Sequence, residues 1–194
     1  MSNMKRAETV LLLMTLGIAS AVAGVKVQSQ RDPKFDFSKL RTWSWNPSGP
    51  GDVKVWVTAE SKSEPVKRKY EPVIMQAVED ELGRRGLSRA SGAQSDFTVT
   101  YYLLITVGTD AHEMGQFLPA VAQWGLPPFA AQTTALSIYP KGSLVLDIGS
   151  PDPSHVVWRA IAQAEIDLER TEAQRAVRIR NVVRDVVAKL PRKK

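Results

Sequence analysis

The chain has only two histidines, and both sit beside residues that could do chemistry. His112 lies between Asp110 and Glu113, a short Asp-x-His-Glu cluster of metal-ligand types. A protein metal site generally takes three or four ligands, held by supporting groups behind them. Nothing else in the chain supplies the remainder, so no metal is expected. His155 follows Asp152 and Ser154, the residue types of a hydrolytic triad. A triad needs members that converge in space around a base and an oxyanion hole. Three neighbours in one Pro-rich turn do not converge in this way, and a plain turn is the expectation. The chain also lacks a G-x-S-x-G elbow, a phosphate-binding glycine loop and a dinucleotide fingerprint. It therefore reads as non-enzymatic and without a cofactor.

Three other groups are candidates for binding. Asp147 is a carboxylate within Leu144-Val-Leu-Asp-Ile148, and Arg159 follows Trp158 after a short turn. Across a hairpin the two would pair, contributing about 0.2–1 kcal/mol as a cross-strand ion pair. Trp43, Trp45, Tyr101 and Trp158 form an aromatic set that reads first as core and second as the wall of an apolar pocket. Phe117, Leu118, Val121, Trp124 and Phe129 crowd a segment with few charges, Gly108 to Gln132. Loops of that length are uncommon and usually functional or disordered. Its composition is the opposite of a disordered one. It is expected either to cover the domain's own sheet or to contact a partner.

The N-terminus has the pattern of an export signal. Lys5 and Arg6 precede an apolar or small-residue run from Thr9 to Ala23, closed by Ala21-Val22-Ala23. The run falls short of the roughly 20 residues that span a bilayer. A signal peptide at 1–23, cleaved after Ala23, is expected, with one domain over 24–194 in the periplasm. The alternative is an inner-membrane anchor left uncleaved. Loss of Lys5, Arg6 and Glu8 takes the formal charge from +6 to +5. Much of the excess lies late in the chain, from Arg170 through Arg175, Arg178, Arg180 and Arg184 to Lys194. Such a run reads as a solvated helix face and tail, or as attraction to an anionic surface. Export and the absence of a recognition motif argue against nucleic acid. Without cysteine there is no lipidated thiol, disulfide or thiolate metal site.

These residues need elements to position them. Val25–Gln30 and Arg41–Trp45 alternate apolar and polar and predict strands. A Pro/Gly loop at 46–52 follows, then a short edge strand at Val53–Val57. Tyr70, Val73, Ile74, Ala77, Val78 and Leu82 recur at helical spacing and predict a helix over Pro65–Gly86. Pro72 is expected in its first turn and Gly86 in its left-handed cap. Asp96–Val107 is the clearest strand, with Phe97, Val99, Tyr101, Leu103 and Ile105 on one face. Thr134–Tyr139 is β-like, Leu144–Ile148 and Val156–Leu168 flank a turn at 149–154, and the alanines of the last strand leave room for a helix to approach closely. Thr171 and Gln174 form a capping box for a helix ending at Pro191.

The order is β-β-α-β-β-β-α. It predicts an α+β fold in which an antiparallel sheet carries two amphipathic helices on one face. The expected core is Val25, Val27, Trp43, Trp45, Ile74, Val78, Phe97, Val99, Tyr101, Leu103, Trp158, Ile179, Val183 and Val186.

Four motifs carry a family resemblance. They are Asp32-Pro33-x-x-Asp36-Phe37-Ser38 with Thr42-Trp43-x-Trp45, then Asp96-Phe97-x-Val99-x-Tyr101. Gly142-Ser-Leu-Val-Leu-Asp147 with Trp158-Arg159 follows, then a last helix ending Lys189-Leu190-Pro191. In this order they resemble the bacterial family known as domain of unknown function 4136, over most of residues 25–192. The resemblance implies an envelope protein and brings no reaction or catalytic residue. Many relatives carry a lipidated cysteine, absent here, and glycine where Ala160 stands. The function expected is a periplasmic domain that binds or scaffolds another envelope component, a protein or the membrane surface. The alternative is a carrier or sensor of a small apolar ligand such as a lipid. An apolar cavity under the helices favours the alternative.

Overall fold

A computed structural model describes residues 24–56, 61–91, 94–106, 142–151, 155–164, 166–167 and 169–191. The signal segment, the 108–132 segment, Thr134–Tyr139, His112 with its acidic neighbours, Asp152, Ser154 and Leu168 lie outside the described residues.

Among the described residues, seven strands and two long helices follow in the order β1 (Lys26–Arg31), β2 (Thr42–Trp45), β3 (Gly51–Trp56), α1 (Ser63–Arg84), β4 (Ser88–Arg89), β5 (Phe97–Thr106), β6 (Gly142–Gly149), β7 (Val156–Ala164) and α2 (Glu172–Val187). The expected α+β class and its strand–helix order hold, with β3, at the place of the candidate edge strand, and the two-residue β4 added. The sheet runs β1-β7-β6-β5-β2-β4, and β3 also pairs with β5. Strands β5, β6, β7 and β1 are antiparallel, as short turns require.

The other half of the sheet is parallel, where wholly antiparallel pairing was expected. Strands β2 and β3 lie in line along one edge of β5, with Trp43 opposite Phe97 and Val53 opposite Leu103. The reason is the helix between β3 and β5. A crossover through α1 returns the chain in its original direction, which a hairpin cannot do. Asp96 fixes the start of this pairing. Its Oδ2 accepts from the backbone N–H of Arg41 at 2.8 Å and of Thr42 at 2.7 Å.

Helix α1 ends in a Schellman motif. The Gly86 N–H donates to Gly83 O at 2.9 Å, the Leu87 N–H donates to Leu82 O at 3.0 Å, and Gly86 has φ +73°. Its start differs from expectation. The helix begins at Ser63, so Pro72 lies in its interior and not its first turn. Pro65 takes the early position that tolerates proline, while Pro72 is exposed and removes one main-chain donor from the solvent side. At the other helix the capping box forms. The Thr171 N–H donates to Gln174 Oε1 at 2.9 Å, and the Gln174 N–H donates to Thr171 Oγ1 at 3.3 Å.

Both helices pack on one face of the sheet. The core there joins Trp43, Phe97, Val99, Tyr101, Leu146, Ile148 and Trp158 to Ile74, Val78, Leu82, Val183 and Val186. Val25, Val27, Trp45, Leu103 and Ile179 of the expected core are partly buried against it. The two indoles of β2 share a face and meet edge-on, with centroids 5.3 Å apart. Gly51 is required where it stands, because a Cβ there would strike the carbonyl and ring of Tyr101.

Trp158 is 1% exposed at the centre of this core. Trp158→Ala is expected to cost about 3–5 kcal/mol of stability, as for other buried large aromatics. An unchanged denaturant midpoint would sink that assignment. Asp96 has a pKa lowered below 3.8, chiefly by the Thr42 N–H and then by the Arg41 N–H. Its contribution to stability is therefore complete above the unfolded pKa and fades as pH falls through the lower folded value. The advantage of wild type over Asp96→Ala should be constant near about pH 6 and shrink below about pH 4. A difference that stays constant down to the acid transition would show that the carboxylate does not act as a charged cap.

Candidate functional site

The two helices lie side by side and parallel, and they are tied at both ends. Arg85, just past the end of α1, donates to Val187 O at 3.0 Å and to Leu190 O at 2.5 Å, both at the end of α2. Near the other end Lys69 of α1 pairs with Glu172, the first residue of α2. The fully buried residues are unevenly spread between these ties. In α1 they are Ile74, Ala77, Val78 and Leu82, and in α2 Val182, Val183, Val186 and Val187. The C-terminal halves thus fill the core, and the N-terminal halves carry no buried residue. Pro72 falls at the junction of the two halves of α1.

Between the N-terminal halves and the sheet lies a cleft of about 470 Å³. That is within the usual range for a small-molecule site, roughly 300–1,000 Å³. Its depth is apolar, with Ile74, Leu103, Leu144 and Ala162 among its lining. Register explains the space. Ala162 stands opposite Leu144 and Ala164 opposite Gly142, so one end of the β6–β7 pair presents small side chains to the helices. Ile166, beyond the end of β7, also lines the cleft.

The lining also includes Lys69, Arg170, Arg175 and Arg178, with Asp167 as the sole carboxylate among the described residues. Arg170 pairs with Asp167 at 2.9 Å. Arg178 is half-buried. Burial, and then the neighbouring Arg170, hold its pKa below the ordinary arginine value. Sequence reasoning read these arginines as a solvated helix face or as attraction to an anionic surface, not as the lining of a cleft. The available signal was their spacing, since Arg175 and Arg178 flank the apolar stripe of Ile179 and Val182 one turn away.

Asp147 and Arg159 come together on the opposite face of the sheet. They are direct partners in the β6–β7 register. Arg159 Nε donates to Asp147 Oδ1 at 2.6 Å, and Nη2 donates to Oδ2 at 2.5 Å. Both residues are 2% exposed. The pair expected as a surface contact of modest value is therefore a buried, bidentate one. Its surroundings account for this, because Leu104 and Val145 are also buried on that face, with Trp56, Tyr102 and Ile161 packed against them. The Tyr102 phenol is pushed up to about 12, first by burial and then by the Asp147 carboxylate. On the helix side the Tyr101 hydroxyl donates to Glu71 Oε1 at 2.7 Å. Its pKa is raised by burial first and by Glu71 second.

Of the other sequence-selected residues, Trp43 and Trp158 are core and Trp45 is partly buried. Phe117, Leu118, Val121, Trp124 and Phe129 lie outside the described residues. His155 stands 4.0 Å from Asp32. Among the described residues no group of three or more His, Asp or Glu could hold a metal ion.

Arg159→Met should cost about 3–5 kcal/mol, because it leaves the Asp147 carboxylate buried without its partner. Asp147→Leu combined with Arg159→Met should recover most of that loss. Urea titrations of the single and double variants decide it. A single-variant loss under about 1 kcal/mol would mean the pair behaves as a hydrated surface contact.

The chain is similar to three solved structures, of which the first supports the fold. A DUF4136 family protein from Bacteroides thetaiotaomicron VPI-5482 is 14% identical, with a TM-score of 0.52 over 88% of this chain and 98% of that one. The PelC dodecamer from Paraburkholderia phytofirmans is 8% identical, with a TM-score of 0.44 over 88% of this chain and 100% of that one. A PDZ domain protein from Parabacteroides distasonis is 14% identical, with a TM-score of 0.44 over 84% of this chain and 37% of that one. No curated protein matches the chain. Residues 27–192 match the family described as Domain of unknown function (DUF4136), and the chain belongs to that family.

Proposed function

We propose that this protein is a non-enzymatic binding domain of the cell envelope that carries or senses a small apolar ligand, such as a lipid, in the cleft beneath its helices. The observation that carries this reading is the cleft itself, about 470 Å³ of largely apolar space between the sheet and the N-terminal halves of α1 and α2. Apolar concavities of this size are the usual form of a small-ligand site. Small residues on one end of β6–β7 keep it open, and the apolar side chains at its base give an alkyl chain a surface to leave water for. Burial of such a chain is worth about 0.8 kcal/mol per methylene. The export pattern at residues 1–23 supports a periplasmic location, where lipids and other envelope amphiphiles are at hand. A scaffold for an envelope protein would rest on the 108–132 segment, which lies outside the described residues.

The test uses the neutral apolar fluorophore N-phenyl-1-naphthylamine. The purified protein should enhance its emission, and alkyl compounds should displace it. Ala164→Phe places a ring in the cleft from a half-buried position. It should weaken probe binding by roughly tenfold or more, with the thermal midpoint held, since it fills space and displaces no core side chain. Equal probe binding by the folded variant would show that the fluorophore sits elsewhere. No binding by wild type would remove the cleft reading and return the scaffold.

A further inference from the structure

Resting on that reading, we propose that the ligand is an anionic amphiphile with a single alkyl chain, its headgroup met at the mouth of the cleft by Arg178 with Arg170, Arg175 and Lys69 around it. Charge is sorted by depth in this site. None of the buried lining residues is charged: Ile74 at 0% and Leu144 at 5% exposure are apolar, and Ser143 is neutral. The half-buried or exposed ones include four cations against one carboxylate. Asp167 is already engaged by Arg170, and Lys69 by Glu172. Among the described residues Arg178 has no ion pair, and the neighbouring Arg170 cation outweighs the more weakly acting Asp167 carboxylate in its surroundings. A half-buried guanidinium beside a like charge is an unfavourable arrangement unless an anion arrives. Arginine's planar fork suits a carboxylate or phosphate headgroup.

The helix adds to this. Arg175 stands early in α2, at the end that carries partial positive charge. Cations gain nothing from the dipole there, whereas an anion does. An amphiphile satisfies both parts of the site together, with its chain along Ala162, Ala164 and Leu103 and its headgroup among the arginines.

Three dodecyl compounds used below their micellar concentrations share the chain and differ in charge: dodecanoate, dodecanol and dodecyltrimethylammonium. Inorganic phosphate tests the anion without a chain. In displacement of the naphthylamine probe, dodecanoate is expected to bind wild type roughly tenfold tighter than dodecanol, the scale of one charge-assisted hydrogen bond. The trimethylammonium compound should be weaker than dodecanol, and phosphate alone should not displace the probe. Arg178→Gln should bring dodecanoate close to dodecanol, with dodecanol bound at least as tightly as by wild type, which also shows that the variant is folded. Arg180→Gln, at an exposed position on the same helix outside the cleft lining, should change nothing. If dodecanol binds wild type as tightly as dodecanoate, the headgroup proposal is overturned and the cleft survives. If phosphate alone competes as well as dodecanoate, the ligand is a free anion and the amphiphile is overturned. If no dodecyl compound displaces the probe, the cleft reading falls with it.

Discussion

The bidentate contact between Asp147 and Arg159 sets the register on which the rest of the sheet depends. Side chains alternate faces along a strand, so a slip of one residue between β6 and β7 would exchange the two faces of one strand relative to the other. In the observed register Trp158 stands opposite Ile148 under the helices, while Arg159 stands opposite Asp147 on the far side. A slip would turn one of the two charges into the helix core and leave the other without its partner on the far face. Buried charges are tolerated only when paired, so the ion pair acts less as a source of net stability than as a penalty on every other alignment. Strand β1 then reads its register from β7, and β5 from β6.

From that register the cleft follows. The alanines of β7 share the Trp158 face, and the chain places bulk at one end of this face and almost none at the other. The helices meet this gradient with matching halves. Their C-terminal turns bring Val78, Leu82, Val183 and Val186 against the tryptophans, and Arg85 locks the two ends together through the carbonyls of α2. From the N-terminal turns the larger side chains of Val66, Tyr70, Arg178 and Ile179 line the cleft. With the helix pair tied at both ends, closing the gap by tilting one helix alone would break one of these contacts.

The sequence made some of this legible and concealed the rest, for separable reasons. Local signals were readable because they act within a few residues. Thr171 and Gln174 cap α2, Gly86 takes positive φ, and the alternation from Phe97 to Ile105 marks β5. Parallel pairing of β2 and β3 was hidden, because it depends on where α1 returns the chain and not on anything in the strands. The burial of Asp147 had a signal that went unused. Leu144 to Ile148 is nearly continuous in apolar residues, which is the pattern of a strand covered on both faces. Pro72 misled because its helix-breaking effect was weighed without its exposure. The cleft was illegible in principle, since spacing shows which residues share a face and not how closely the facing elements approach.

An open mouth is what makes the cationic lining tolerable in the empty protein. Arg178 is half-buried, so water still reaches part of its guanidinium, and the cost of holding it beside Arg170 stays modest. That balance changes when an apolar chain enters. The chain covers the mouth and takes water from the same cation, so an uncharged ligand gains burial along β7 but raises the cost at Arg178. An anionic ligand supplies the missing counter-charge at the moment the water leaves, in a setting where the lower local dielectric strengthens the contact. Selectivity for the headgroup therefore arises from occupancy of the apolar part. A free anion at the open mouth would meet hydrated, partly engaged cations and gain little, whereas one delivered on a buried chain would meet them dry.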